Sequence, residues 1–101
     1  MAYIPATGAT LPKVPITATV TLTMPNGDTR YPISITAATA VTLPAADGSG
    51  KKLFFDFDSL AGFVPTFPLN GTDTLVTPLP SIVQGETFGL VTDSAGKWSV
   101  E

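Results

Sequence analysis

Ile16-Thr17-Ala18-Thr19-Val20-Thr21-Leu22-Thr23-Met24 decides the fold class. Apolar side chains at 16, 18, 20, 22 and 24 alternate with threonines at 17, 19, 21 and 23. A period of two puts the first set on one face of a strand and the hydroxyls on the other. β-Branched residues dominate, which suits a pleated, half-buried surface. Pro25-Asn26-Gly27-Asp28 follows, and Asn-Gly is the pair that supplies the positive-φ positions of a two-residue hairpin. Residues 29–36 then return, with Tyr31, Ile33 and Ile35 alternating with Arg30, Pro32 and Ser34. Pro32 cannot donate to a ladder, so this strand belongs at an edge or carries a break. The expectation is a β-hairpin of 16–24 with 29–36.

Working outward, the same punctuation recurs. Residues 39–43 form a short strand closed by Pro44, and Asp47-Gly48-Ser49-Gly50 is a turn. In 51–57, Leu53, Phe55 and Phe57 share one face while Lys52, Phe54 and Asp56 share the other. Residues 58–69 make an apolar loop, and Asn70-Gly71-Thr72-Asp73 turns again. Short strands are expected at 74–77 and 81–83, a tight turn at Gln84-Gly85, and a last hairpin of 86–92 with 97–101. Strands at spacings of about 8–12 residues, with no helical periodicity over three turns, predict an all-β chain. The expected architecture is a small antiparallel β-sandwich or barrel. A chain of 101 residues is long enough for one domain. That domain spans 16–101 and follows an extended N-terminal arm, 1–15, in which Pro5, Pro12 and Pro15 exclude a helix or a central strand. Apolar residues in such an arm, Tyr3, Ile4, Leu11 and Val14, are candidates for docking on a neighbouring chain. Apolar loops fold over a core or sit in an interface, so Phe63, Val64, Phe67 and Leu69 are candidate interface residues. Trp98, between Lys97 and Ser99, is expected to cover the core.

Composition narrows the chemistry. Charged residues are 13% of the chain, about half the usual share, and mean hydropathy is +0.33. So little charge favours burying part of the surface against another chain, and self-association is expected. The five basic residues, Lys13, Arg30, Lys51, Lys52 and Lys97, form no stripe, and the net charge is −3. Nucleic acid is therefore not an expected partner. With no Cys there are no disulfides, thiolate metal sites or Cys nucleophiles. With no His, the commonest general base and metal ligand is missing, and so is any Ser-His-Asp system. Asp56 and Asp58, two apart on one strand face, are the remaining carboxylate pair; they read as a strand end or turn caps, with a calcium ion shared between chains as the alternative. Gly48-Ser49-Gly50-Lys51-Lys52 lacks the spacing of a phosphate loop. The expectation is a non-enzymatic protein with no cofactor. No apolar run approaches the roughly 18 residues of a membrane span, so no membrane partner is expected. The Met1-Ala2-Tyr3-Ile4-Pro5 start shows no signal-peptide pattern, which predicts synthesis in a cytoplasm as a whole gene product.

A resemblance runs through 41–101. Its pieces are Val41-Thr42-Leu43-Pro44-Ala45-Ala46, then Gly50-Lys51-Lys52-Leu53-Phe54-Phe55 after a glycine turn. Asn70-Gly71-Thr72-Asp73-Thr74-Leu75 follows, then Gln84-Gly85-Glu86-Thr87-Phe88-Gly89-Leu90-Val91-Thr92-Asp93, and finally Gly96-Lys97-Trp98-Ser99-Val100. In order and spacing, this part resembles a segment of bacteriophage virion proteins: capsid decoration proteins, head fibres and tail-fibre modules. It departs from them at 63–68, which is apolar where a polar alternation is the family's habit. The resemblance implies a trimeric β assembly and a place in the virion, after assembly in the host cytoplasm. It implies a structural role, either decorating the capsid by binding the major capsid protein or another virion protein, or binding a host-surface glycan as a receptor-binding module.

Overall fold

The structure, a computed structural model, describes residues 11–101. Among the described residues seven strands form: β1 (Val20–Thr21), β2 (Thr29–Ser34), β3 (Val41–Thr42), β4 (Lys52–Ser59), β5 (Thr74–Leu75), β6 (Thr87–Ser94) and β7 (Lys97–Val100). They make a five-stranded sheet in the order β2-β4-β6-β7-β5 and a two-stranded sheet of β1 and β3. The protein is all-β, as its periodicity predicts. The final hairpin of β6 and β7 forms, and the antiparallel pairing that the sequence suggested runs through β4, β6 and β7.

The other pairings differ from expectation. β2 runs parallel to β4, β1 parallel to β3, and β5 parallel to β7. The hairpin expected of 16–24 with 29–36 does not form. Its first segment bends at Ala18, and its two halves enter different sheets. Residues 12–16 lie parallel to β2, pairing Lys13 with Arg30 and Ile16 with Ile33, while Val20 and Thr21 pair with Val41 and Thr42. Thr17, Ala18 and Thr19 form the exposed corner between the layers. Neither Asn26 nor Gly27 adopts a positive φ, so the hairpin turn they signalled is not made. A period of two is equally satisfied by one straight strand and by a strand that turns a corner between two sheets.

The same manoeuvre repeats. The backbone passes from 12–16 to β1, from β2 to β3, and from β4 to residues 66–68, changing sheet each time. Ala40 pairs with Thr66, Val41 N donates to Thr66 O (2.8 Å), and Leu43 N donates to Pro68 O (2.9 Å). Each layer thus stacks parallel strands that are far apart in sequence, which parallel pairing requires. No strand forms at 81–83. That segment, close behind Pro78 and Pro80, is tied instead through Gln84 Oε1, which accepts from Leu60 N (2.8 Å), and Gly85 N, which donates to Phe57 O (2.7 Å).

Pro32 turns its donor-less nitrogen toward residues 12–16 and not toward β4. Arg30 N donates to Pro12 O, Val14 N to Arg30 O, Ile16 N to Pro32 O and Ser34 N to Ile16 O, all at 2.8–3.0 Å. In this ladder the one bond lost is the bond to the Val14 carbonyl, on the outer side of β2.

One core fills the space between the sheets. Tyr31, Ile33 and Ile35, Leu53, Phe55 and Phe57, Phe88 and Leu90, and Trp98 face it from the larger sheet; Leu22, Val41 and Leu43 close it from the smaller one. Phe55, Phe57, Phe67 and Phe88 pack as an aromatic cluster, with the closest ring centroids (Phe55 and Phe67) 4.8 Å apart. Trp98 is fully buried and its Nε1 donates to Pro44 O (3.3 Å). The Asp47–Gly50 turn packs on the β6–β7 hairpin: a Cβ on Gly48 (φ +74°) would stand 2.8 Å from Ala95 N, so only glycine fits this approach.

Candidate docking surfaces

The outer face of the five-stranded sheet carries a polar cluster centred on Asp56. Pairing β2 with β4 sets Arg30 beside Phe54 and Pro32 beside Asp56; pairing β4 with β6 sets Asp56 beside Thr87. Arg30 grips Asp56 through two nitrogens, Nε to Oδ2 (3.0 Å) and Nη2 to Oδ1 (2.5 Å), and Thr87 Oγ1 donates to the same Oδ1 (2.6 Å). The guanidinium lies 5.6 Å from the Phe54 ring centre. Burial opposes ionisation of Asp56, but the hydrogen bonds from Arg30 and Thr87 and the Arg30 charge outweigh it and hold the carboxyl below its ordinary value. Phe54 also covers Gly89: a Cβ there would meet the ring at 2.9 Å. At the sheet's other margin Lys52 pairs with Glu101 (2.7 Å). The carboxylate that the sequence set beside Asp58 is therefore occupied by an arginine 26 residues away. The described residues hold no group of three or more His, Cys, Asp or Glu side chains able to share a metal ion.

The docking residues expected from the arm divide. Tyr3 and Ile4 lie outside the described residues. Leu11 is half-buried and Val14 is 46% exposed; both line a cleft with Pro12, Pro25 and Asn26 at the outer edge of β2. Residues 12–16 of the arm are an added edge of the sheet rather than a free extension.

The apolar loop divides too. Leu60 to Phe63 is a hydrogen-bonded turn (Phe63 N to Leu60 O, 2.9 Å) with positive φ at Ala61 (51°) and Gly62 (85°). Phe63 and Val64 project from it, 39% and 66% exposed. Phe67 does not serve as a surface residue: it is buried in the aromatic cluster, and Leu69 is half-buried against the same core. Period-two alternation explains the split, since pairing Thr66 with Ala40 turns Pro65 and Phe67 inward and leaves Val64, Thr66 and Pro68 outward. Val64 lines a different depression from Val14, beside Thr19, Ala38 and Ala40. Sequence reasoning passed over Val76 and Val83, 58% and 47% exposed. Val76 continues the alternation of edge strand β5, where Leu75 turns inward, so it was readable.

No family model, curated protein or solved structure matches this protein in the comparisons made with each.

Proposed function

We propose that this is a non-enzymatic structural protein of a bacteriophage virion, a capsid decoration (head-fibre or cement) protein that binds the capsid surface as a homotrimer. The observation that carries the reading is the set of large apolar side chains left in water, Val14, Phe63, Val64, Val76 and Val83, on a protein with 13% charged residues. The reading requires several of these side chains to be covered together on assembly, since a contiguous apolar patch, and not a scattered single residue, marks a protein–protein contact. The resemblance over 41–101 supplies the virion context, and its pieces take in β3, β5 and β7, the first half of β4 and all but the last residue of β6, four of them neighbours in one sheet. Partners under this reading are two further copies of the same protein and a major capsid or other virion protein.

Light scattering on the purified protein tests the assembly: a trimer is expected, and a stable monomer at micromolar concentration rejects it. Docking is tested by removing residues 1–10 alone, because a longer deletion would also strip the edge hydrogen-bonded to β2. Loss of binding to undecorated capsids, with trimer and melting temperature unchanged, is the expected result for an arm that docks. Retained binding moves docking to the exposed valines. Strong glycan-array hits without capsid binding would replace decoration by a tail-fibre, receptor-binding role.

A further inference from the structure

Asn26-Gly27 is a hairpin signal that the fold does not use as one. We infer that this pair is a site of spontaneous succinimide formation, so that Asn26 is converted to aspartate and isoaspartate in the folded protein. In this reaction the Gly27 amide nitrogen, having lost its proton to hydroxide, attacks Asn26 Cγ. A bond forms between that nitrogen and Cγ, and the bond from Cγ to Nδ2 breaks, releasing ammonia. Water then opens the five-membered ring: attack at the Cγ carbonyl gives aspartate, attack at the backbone carbonyl gives isoaspartate. The net change is one amide and one water to one carboxylate and one ammonium ion, with no enzyme or oxidant. It adds a negative charge at the cleft lined by Leu11 and Val14.

The reaction needs an accessible amide, a free attacking nitrogen and a backbone able to rotate. Asn26 and Gly27 are both exposed. Among the described residues the Gly27 amide donates to no backbone or side-chain acceptor; the one bond at this residue runs to its carbonyl, from Thr29 Oγ1 (2.9 Å). Among the described residues a Cβ on Gly27 would meet nothing within 4 Å, so none of them hinders the ring. The two other candidate pairs in the sequence are held. At Asn70-Gly71 the Asn70 carbonyl accepts from Asp73 N (2.9 Å) and Thr74 N is tied to Gly96 O (2.9 Å), so turning the Asn70 carbonyl to close the ring breaks the turn. At Asp47-Gly48 the attacking nitrogen already donates to Thr92 Oγ1 (3.0 Å), and Asp47 Oδ1 accepts from Ser49 N (3.0 Å).

The experiment is incubation of the full-length protein in mildly alkaline buffer, with and without denaturing urea, followed by peptide mapping by mass spectrometry. In the folded protein Asn26 is expected to convert about three to ten times faster than Asn70, the factor set by the net worth of one turn hydrogen bond. In urea the two rates should converge. Gly27→Ala, which the backbone accommodates without strain, should suppress conversion at Asn26 and leave the melting temperature unchanged. Asn26→Gln provides a second variant, since its longer amide arm forms a six-membered ring more slowly. Equal rates at Asn26 and Asn70 in the folded protein, the same ratio with and without urea, or conversion undiminished in both variants would overturn the inference.

Discussion

At the scale of single residues, the Arg30–Asp56 contact is the strongest polar feature. Its two-nitrogen geometry is partly shielded, with the Asp56 side chain 16% exposed, so it outranks an ordinary surface pair. Arg30→Ala is expected to cost about 1–2 kcal/mol at neutral pH, because the carboxylate is left half-shielded without its partner. The pH dependence follows from the direction of the Asp56 shift. The folded carboxyl holds its proton less tightly than the unfolded one, so the stabilisation is complete above the unfolded value of about 3.9 and fades as pH falls through the folded value. Urea unfolding of wild type and variant should show the gap shrinking from neutral pH to about pH 2. A gap that stays constant contradicts the assignment. Gly89 illustrates the complementary case of a residue chosen for what it lacks, since the Phe54 ring needs its bare backbone.

At the scale of elements, the turn after β4 is the clearest local conflict. Ala61 holds φ +51°, a region that costs an L-residue roughly 1–2 kcal/mol, because the following pass into the smaller sheet needs a tight reversal there. Asparagine tolerates this backbone, so Ala61→Asn should raise unfolding stability by about 1 kcal/mol and the melting temperature by about 4–8 °C. Ala61→Val, β-branched, should shift both the other way. Calorimetry on the two variants checks the sign, and a stabilising valine would mean that the turn differs. The element-level reading of the sequence was good where strands were long and antiparallel: 86–92 with 97–101 formed as expected, and the faces of β4 were assigned correctly from alternation alone. It was poor at 16–24, 29–36 and 63–69. There the alternation continues through a corner, and nothing in the residues themselves says into which sheet the next apolar side chain goes.

At the scale of the molecule, the parallel stacking sets the folding problem. Lys13 must find Arg30, Thr29 must find Leu53, and Ala40 must find Thr66, each across an intervening pass through the other layer. Loop closure is spent before these contacts form, so refolding is expected in milliseconds to seconds, the range of non-local β topologies. Stopped-flow tryptophan fluorescence, with Trp98 as the buried reporter, measures this, and submillisecond refolding would be incompatible with the topology.

By itself the sequence determined the all-β class, the inward face of β4, the burial of Trp98 and the absence of His and Cys chemistry. Those properties follow from residue type and from a two-residue period, both local. Only the tertiary structure decided that residues 12–16 complete a sheet edge, that Phe67 belongs to the core while Val64 does not, that Asp56 is held by Arg30, and that Asn26-Gly27 is left free of hairpin duty. Each depends on which distant strand lies alongside. Apolar alternation says that a face must be buried; the choice of neighbour comes from packing all the faces into one core at once.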